Sequence, residues 1–222
     1  MNWPTVGILI PTYNRPQIVG QCVAHLLENL EYPGTLHVFV GNDGVESPEL
    51  PKTEFRSNRE VAVIEGPKQG LGANLNHLLK TALYGCPIVL QLDDDHLLVK
   101  KLDLAPHVNL LLSDESVGCI RLMGIAAHRY IAHLEGSYWN IQWDSPELYI
   151  ASNRPHLKHF RFHSSYGYYP EGLKLGHTEE AFCSKCKDTF REMGGPKVLV
   201  PLDVMTESSW QHIGDSWQLK GF

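Results

Sequence analysis

The sequence predicts an open α/β sheet, mostly parallel, with helices on both faces. Three observations carry this. Short apolar runs rich in β-branched residues alternate with longer segments of helical periodicity. The runs are continuous rather than alternating, as expected of strands covered on both sides. Three of the runs end in polar clusters, and ligands in such sheets bind outside the carboxyl ends of the strands.

Val6–Ile10 is the first strand, broken by Pro11-Thr12-Tyr13-Asn14-Arg15-Pro16. Pro16 suits a first helical turn, where its missing N–H costs nothing, so a helix is predicted from Pro16 to Leu30, ended by Tyr32-Pro33-Gly34. Leu36–Val40 is the second strand and stops at Gly41-Asn42-Asp43-Gly44. Val61–Ile64 is the third, followed by Gly66-Pro67-Lys68-Gln69-Gly70. Leu71 to Tyr84 reads as a helix because Leu71, Leu75, Leu78, Leu79 and Ala82 share one side. Ile88–Leu92 is the fourth strand and runs into Asp93-Asp94-Asp95-His96. Leu97 to Leu112 is predicted to be mostly helical, with Pro106 as its breaking point.

Past Ser116 the pattern changes. Val117–Met123 is another strand, and residues 129–150 are expected to hold antiparallel strands. Residues 153–170, rich in His, Arg, Tyr and Phe, read as a loop. Thr178 to Met193 is predicted helical with Thr178 as N-cap, closed by Gly194-Gly195-Pro196. Val198–Val200 is a short strand, and an ordered tail follows. With no internal repeat and no linker-like stretch, residues 1–222 read as one domain.

The formal charge of −6 excludes a global basic field that would draw nucleic acid, so an anionic substrate needs local neutralisation. Five scattered cysteines form no disulfide framework and suit a reducing compartment. The N-terminus lacks a basic region followed by an apolar stretch, and no apolar run reaches membrane-spanning length. The expected location is the cytoplasm.

Three consecutive aspartates at a strand end repel one another. A divalent cation makes them tolerable, and carboxylate oxygens suit Mg²⁺ or Mn²⁺ with positions left open for substrate phosphates. In a turn Asp93 and Asp95 can project to one side while Asp94 points elsewhere. The alternative is a solvated acidic loop.

Four segments in order, VGILIPTYNR (Val6 to Arg15), Asn42-Asp43-Gly44, Gly70-Leu71-Gly72-Ala73 with Asn76, and Leu92-Asp93-Asp94-Asp95, closely resemble the family 2 glycosyltransferases of GT-A fold. The resemblance covers roughly the first 115 residues. It implies a metal-dependent, inverting transfer of a sugar from a nucleoside-diphosphate sugar, UDP favoured, to an acceptor hydroxyl. Residues 1–115 would form the nucleotide-sugar half and 116–222 the acceptor half. Pro11, Thr12, Tyr13, Asn14 and Arg15 would line the nucleotide pocket, Asp43 would meet the base or ribose, and Asn76 the donor. Asp93 and Asp95 would be the DxD pair, with Asp95 the direct metal ligand, Asp93 nearer the ribose and Asp94 beside them. Where the family often carries an Arg before the Asn of its middle motif, this chain has Leu75; Lys68 is the candidate to replace that contact.

Gly176-His177-Thr178-Glu179-Glu180 resembles the family's acidic motif at a helix start, which implies Glu180, with Glu179 beside it, as the base that deprotonates the acceptor. A helix N-terminus favours acidic residues in any case. Trp210-Gln211-His212-Ile213-Gly214 resembles the family's late His-x-Gly segment, which implies His212 as a ligand of the metal or diphosphate, with His96 a rival. Arg154, Arg161 and Tyr168 are acceptor candidates from the basic, aromatic stretch. The acceptor is open between a glycan, a lipid-linked glycan and, less favoured, nucleic acid. Cys183-Ser184-Lys185-Cys186 has no second pair and is set aside as a zinc site. Two rival functions remain. One is a nucleotidyltransferase on a related scaffold. The other is a module that holds a nucleotide-sugar or glycan without turnover.

Overall fold

A computed structural model describes residues 2–51, 58–124, 130–174 and 176–214. The first part of the chain contains β1 (Val6–Thr12), α1 (Pro16–Asn29), β2 (Leu30–Glu31), β3 (Leu36–Asn42), β4 (Arg59–Glu65), α2 (Leu71–Leu83) and β5 (Ile88–Gln91). Then come β6 (His96–Leu98), β7 (Leu102–Asp103), α3 (Ala105–Ser113) and β8 (Val117–Arg121). The remainder holds β9 (Ala132–Glu135), β10 (Tyr138–Ile141), β11 (His156–His159), α4 (Phe160–Tyr166), α5 (His177–Met193), β12 (Lys197–Pro201), α6 (Leu202–Thr206) and β13 (Trp210–His212).

Nine strands form one sheet in the order β4-β3-β1-β5-β11-β8-β12-β10-β9. The mixed, mostly parallel sheet flanked by helices is the α/β architecture expected. β11 runs antiparallel between β5 and β8, and β9 and β10 form the expected antiparallel pair. Apolar side chains leave both faces of β1, as its continuous run predicts. Ile8 and Ile10 pack with Val19, Val23 and Leu26 of α1 and with Val108 and Leu111 of α3. Leu9 packs on the other side with Leu75, Leu78 and Leu79 of α2, Phe162 of α4 and Phe182 of α5.

Register sets the site. Thr12 pairs with Asn42, and Leu9 with Gln91, so the chain leaves β1, β3 and β5 at the same edge. Asp43 and the aspartates after Leu92 follow directly.

Three expectations change. The segment from Leu97 to Leu112 is helical only over Ala105–Ser113, and Pro106 sits in the first turn rather than splitting the helix. Before it, His96–Leu98 pairs with Trp210–His212, a partner more than a hundred residues away that periodicity cannot register. Residues 153–170, expected as a loop, hold a buried strand (His156–His159) and a helix (Phe160–Tyr166). Their polar sequence hides this because β11 buries His156 and Lys158. Thr178 is not the N-cap of α5; Gly176, at φ +87°, holds that position and Thr178 lies in the first turn, 1% exposed. Among the described residues no helix is long and apolar enough to cross a membrane.

Candidate active site

Two cavities open side by side at the carboxyl edge of β1, β3 and β5. The first, about 580 Å³, is lined by Pro11, Thr12, Tyr13 and Arg15 after β1, by Asp43 after β3, by Lys68, and by Asp93, Asp94 and Asp95 after β5. Leu173, from the segment after α4, closes its far side. The second, about 390 Å³, is lined by Asp93, His96, Arg121, Asn153, Arg154, Glu179 and His212 among others. Asp93 belongs to both.

The walls of the first cavity are tied together by its own acids. Asp94 does not point away: its carboxylate accepts from Thr12 Oγ1 at 2.6 Å and from Arg15 Nη1 at 2.9 Å. Arg15 also donates to Asp95 Oδ2 at 3.1 Å. Asp43 folds the next loop, accepting from the backbone N–H groups of Lys68 (2.5 Å) and Gly70 (2.9 Å). This holds Lys68 in the left-handed region at φ 57°, a conformation a non-glycine residue keeps only when its surroundings enforce it. At Gly72 a Cβ would lie 2.0 Å from the Pro170 carbonyl oxygen, so glycine is what lets the segment after α4 approach the start of α2.

Two expected donor residues do not line the cavity. Asn14 instead accepts from the backbone N–H of Val45 at 2.9 Å and tethers the loop after β3. Asn76 binds the Tyr169 main chain on both its N–H and C=O (2.9 Å each) and Glu171 (2.7 Å). Asn74, one residue before Leu75, lines the cavity in its place. Spacing within α2 gives no cue to distinguish the two asparagines. Leu75 is fully buried in the core, so an arginine at that position would have faced apolar neighbours.

A second cluster lies behind the aspartates. The antiparallel pairing of β6 and β13 sets His96 opposite His212, with ring centroids 4.9 Å apart. Ile213 N donates to the Asp95 carbonyl at 2.9 Å, which brings the strand end against Asp95. One ligand atom each from Asp95, His96 and His212 lies within 4.8 Å of the others. Asp95 Oδ1 is 3.3 Å from His96 Nδ1 and 3.5 Å from His212 Nε2, yet Oδ1 and Nδ1 are both buried without a hydrogen bond. A carboxylate oxygen and an imidazole nitrogen left facing each other in this way fit a divalent cation of the Mn²⁺ or Mg²⁺ class. Asp93 stays outside this cluster.

The electrostatics divide the three acids. Burial pushes the Asp93 carboxyl well up, and Asp95, Glu179 and Asp94 add to the effect. Burial also raises Asp94, to about 6, against the pull of Arg15 and Thr12. Asp95 is the exception: burial is outweighed by His96, His212 and Arg15, which hold it at about 2. The acids are therefore short of positive charge at Asp93, where the cavities meet.

In the second cavity Glu179 is half-buried and its Oε1 accepts from the Asn153 backbone N–H at 2.7 Å. Glu180 points outward, is exposed, and accepts from the Tyr149 hydroxyl at 2.6 Å. Of the acceptor candidates only Arg154 lines this cavity. Arg161 donates to the carbonyls of Asp114 (2.9 Å) and Val117 (3.0 Å), at the opposite end of β8. Tyr168 lies in a separate surface depression beside Tyr84 and Phe160. Arg121, 2% exposed at the end of β8, also lines this cavity; it is the one charge in the apolar run of residues 117–123, the signal by which sequence could have found it.

Residues 7–176 match the family described as Glycosyl transferase family 2. An N-acetylglucosaminyltransferase of Mesorhizobium japonicum is 24% identical over 164 residues, covering 72% of this chain and 36% of that protein. The chain thus spans about a third of that relative's length. The structure of TarS 1–349 of S. aureus with UDP-GlcNAc superposes with a TM-score of 0.59 at 17% identity, over 93% of this chain and 57% of that one. The mannosyltransferase PcManGT of Pyrobaculum calidifontis, solved with GDP-Man and Mn²⁺, gives 0.59 at 18% identity, over 90% of this chain and 55% of that one. These superpositions show the GT-A fold.

Proposed function

The chain belongs to glycosyl transferase family 2, and from that premise we propose that it moves a sugar from a nucleoside-diphosphate sugar to an acceptor hydroxyl with inversion at the anomeric carbon. The observation that carries the proposal is the pair of cavities meeting at Asp93, one walled by the loops after β1, β3 and β5, the other holding Glu179. In this reading residues 1–115 take the donor and residues 116–222 supply most of the acceptor side. Tyr13, 65% exposed at the rim, offers a face for a nucleobase. A UDP-sugar is the favoured donor, in line with the UDP-GlcNAc bound by TarS. Lys68, on the wall of the donor cavity, would supply positive charge to the diphosphate. Five free, buried thiols suit the cytoplasm.

Asp95, His96 and His212 would hold Mn²⁺ or Mg²⁺, with Asp93 adjacent. Such an ion supplies Lewis-acid neutralisation of the departing diphosphate. Arg15 orients Asp95 through Oδ2, leaving Oδ1 toward the two imidazoles. Glu179 is the base. Its Oε1 is fixed by the Asn153 N–H, and its other oxygen has no protein partner among the described residues. It takes the acceptor's proton as the hydroxyl oxygen attacks the face of the anomeric carbon opposite the leaving diphosphate. The sequence favoured Glu180; its exposure and its bond to Tyr149 move the assignment to Glu179.

The test is a product assay across nucleotide-sugars with Mn²⁺. Glu179→Gln is expected to lose about 10²–10⁴-fold in turnover, the usual worth of a general base, while Glu180→Gln stays within a few-fold. Equal losses in both would remove the assignment. A wild type that binds nucleotide-sugars without hydrolysing or transferring them would make this a binding module. Pyrophosphate release from a nucleoside triphosphate would make it a nucleotidyltransferase.

A further inference from the structure

Arg121 ends β8 and is buried, yet it lines the second cavity. One nitrogen makes its hydrogen bonds to the described residues. Nη1 donates to the Tyr149 carbonyl at 2.8 Å, and reaches the Tyr130 hydroxyl at 3.4 Å and the Ile150 carbonyl at 3.5 Å. Nε is buried with no hydrogen bond, and no carboxylate is among the partners. The Tyr130 ring lies 5.8 Å from Cζ.

A guanidinium keeps its proton in a protein, so the end of β8 holds a buried positive charge. Burying it without a counter-charge is costly, and contact with one ring offsets only part of that. Pinning the main chain at residues 149–150 does not explain the charge. Nη1 alone does that, and the Tyr149 carbonyl also accepts from the Tyr130 hydroxyl at 3.3 Å. The edge left unused, Nε–H with Nη2–H, is a fork that carboxylate and phosphate oxygens match. A second cation shares the cavity: Arg154 is exposed there, and its contact with the Gly124 carbonyl is long, at 3.4 Å. Gln91 of β5, His156 of β11 and Arg121 of β8 pair in one row. The Arg121 backbone therefore stands two strands, about 10 Å, from the end of β5 that leads to Asp93. An acceptor whose hydroxyl meets Glu179 thus has a positive wall in reach of a second group.

Resting on the reading of this cavity as the acceptor side, we propose that the acceptor is anionic: it carries a carboxylate or phosphate group that pairs with Arg121, with Arg154 as the second cation, while its hydroxyl faces Glu179. In the test, the full chain is held with UDP and Mg²⁺ and titrated with methyl phosphate, with acetate and, as a neutral control, with methanol. The Arg121 Nε–H resonance in NMR reports the site, and calorimetry gives the affinities. At least one anion should shift the resonance saturably and methanol should not; the tighter anion names the group. Arg121→Gln keeps a donor for the Tyr149 carbonyl. It should weaken that anion about tenfold or more, the worth of a hydrogen bond to a charged partner, with UDP affinity within about twofold of wild type. Arg154→Ala, at an exposed position that does not put folding at stake, should weaken it about threefold. No saturable shift with either anion overturns the proposal, and so does equal anion affinity in wild type and both variants. UDP-glucuronate and UDP-glucose separate a charge on the donor sugar from one on the acceptor: a loss in Arg121→Gln for UDP-glucuronate alone would give Arg121 to the donor and overturn the proposal. A wild type with no turnover on any nucleotide-sugar would overturn the proposed function instead, and the Arg121 resonance would still decide whether the cavity takes an anion.

Discussion

The β4-β3-β1-β5 side of the sheet and the β11-β8 side bury different chemistry. In β1 and β3 the interior is aliphatic, with Val6, Ile8, Leu9, Ile10, Val38 and Val40 each at most 1% exposed, and polarity is confined to the strand ends. In β11 and β8 polar groups are themselves buried: Arg121 at the end of β8, His156 at the start of β11 and Lys158 within β11 are at most 2% exposed. His156 is held neutral by burial and by the cations beside it, so Arg121 and Lys158 carry the buried charge. The first side works as a rigid rack whose loops do the chemistry. The second places charge inside the rack, behind the acids at its rim.

The largest expected effect belongs to the rim. Asp95→Ala removes the acid that its neighbours hold lowest and the oxygen that faces both imidazoles. Turnover should fall by about 10³-fold or more, given the several kcal/mol a Lewis acid contributes to charge stabilisation. Mn²⁺ should no longer raise the melting temperature of the variant above that of its own metal-free form. A variant that still gains stability from Mn²⁺ would place the cation elsewhere.

The buried side is tested by pH. Lys158 has a folded value near 8 against an ordinary 10.5, so between those values the unfolded chain binds more protons than the folded one. Stability from this group therefore rises with pH across that window, and the charged form costs stability below it. Lys158→Met removes the titration. It should exceed wild type by up to about 3 kcal/mol at neutral pH, and the gap should close as pH rises from about 8 to about 10.5. Denaturant titrations of both proteins across that range measure it. A gap that does not depend on pH would mean that packing, not charge, distinguishes the two.

The same contrast decides what could be read from sequence. The donor rim was legible because its polar residues interrupt apolar runs: Thr12, Asp43 and Asp93 stand at strand ends that hydropathy alone locates. The acceptor side was not, because Lys158 in His156-Leu157-Lys158-His159 looks like solvent-exposed polarity until the strand is seen between β5 and β8. The pair His96 and His212 depended on strand pairing across more than a hundred residues, and only His212 carried a motif. Glu179 and Glu180 are adjacent on a helix, and which one faces the cavity depends on where α5 begins, one residue earlier than its sequence suggests.

Gly72→Ala probes the seam between the two sides. The added methyl would lie 2.0 Å from the Pro170 carbonyl, in the segment that carries Tyr169 and Leu173. Overpacking against backbone should cost about 2 kcal/mol, measured by urea titration. The displaced segment should also weaken nucleotide binding, since Leu173 lines the donor cavity. Loss of stability with donor affinity intact would mean that the segment moves as a unit without opening the site.

Arg161→Ala is the smallest effect, and it separates basic residues that serve the site from those that serve the fold. Arg154 and Arg161 stand seven positions apart in one basic, aromatic stretch, and sequence gives both the same role. The structure sends them to opposite ends of the sheet, Arg154 to the wall of the Glu179 cavity and Arg161 to the start of β8. There its guanidinium donates to the carbonyls of Asp114 and Val117 at 2.9 and 3.0 Å, the first of which also accepts from the Val117 N–H. Truncation removes both bonds, but the carbonyls are partly open to water, so the loss should be about 1 kcal/mol. Because no part of that end touches either cavity, kcat and KM should match wild type when assayed below the new melting temperature. Arg154→Ala should show the reverse, a stability within about 0.5 kcal/mol of wild type, as for exposed positions generally, and a raised acceptor KM. If the two variants behaved alike, the division between a chemical edge and a structural edge of β8 and β11 would be wrong.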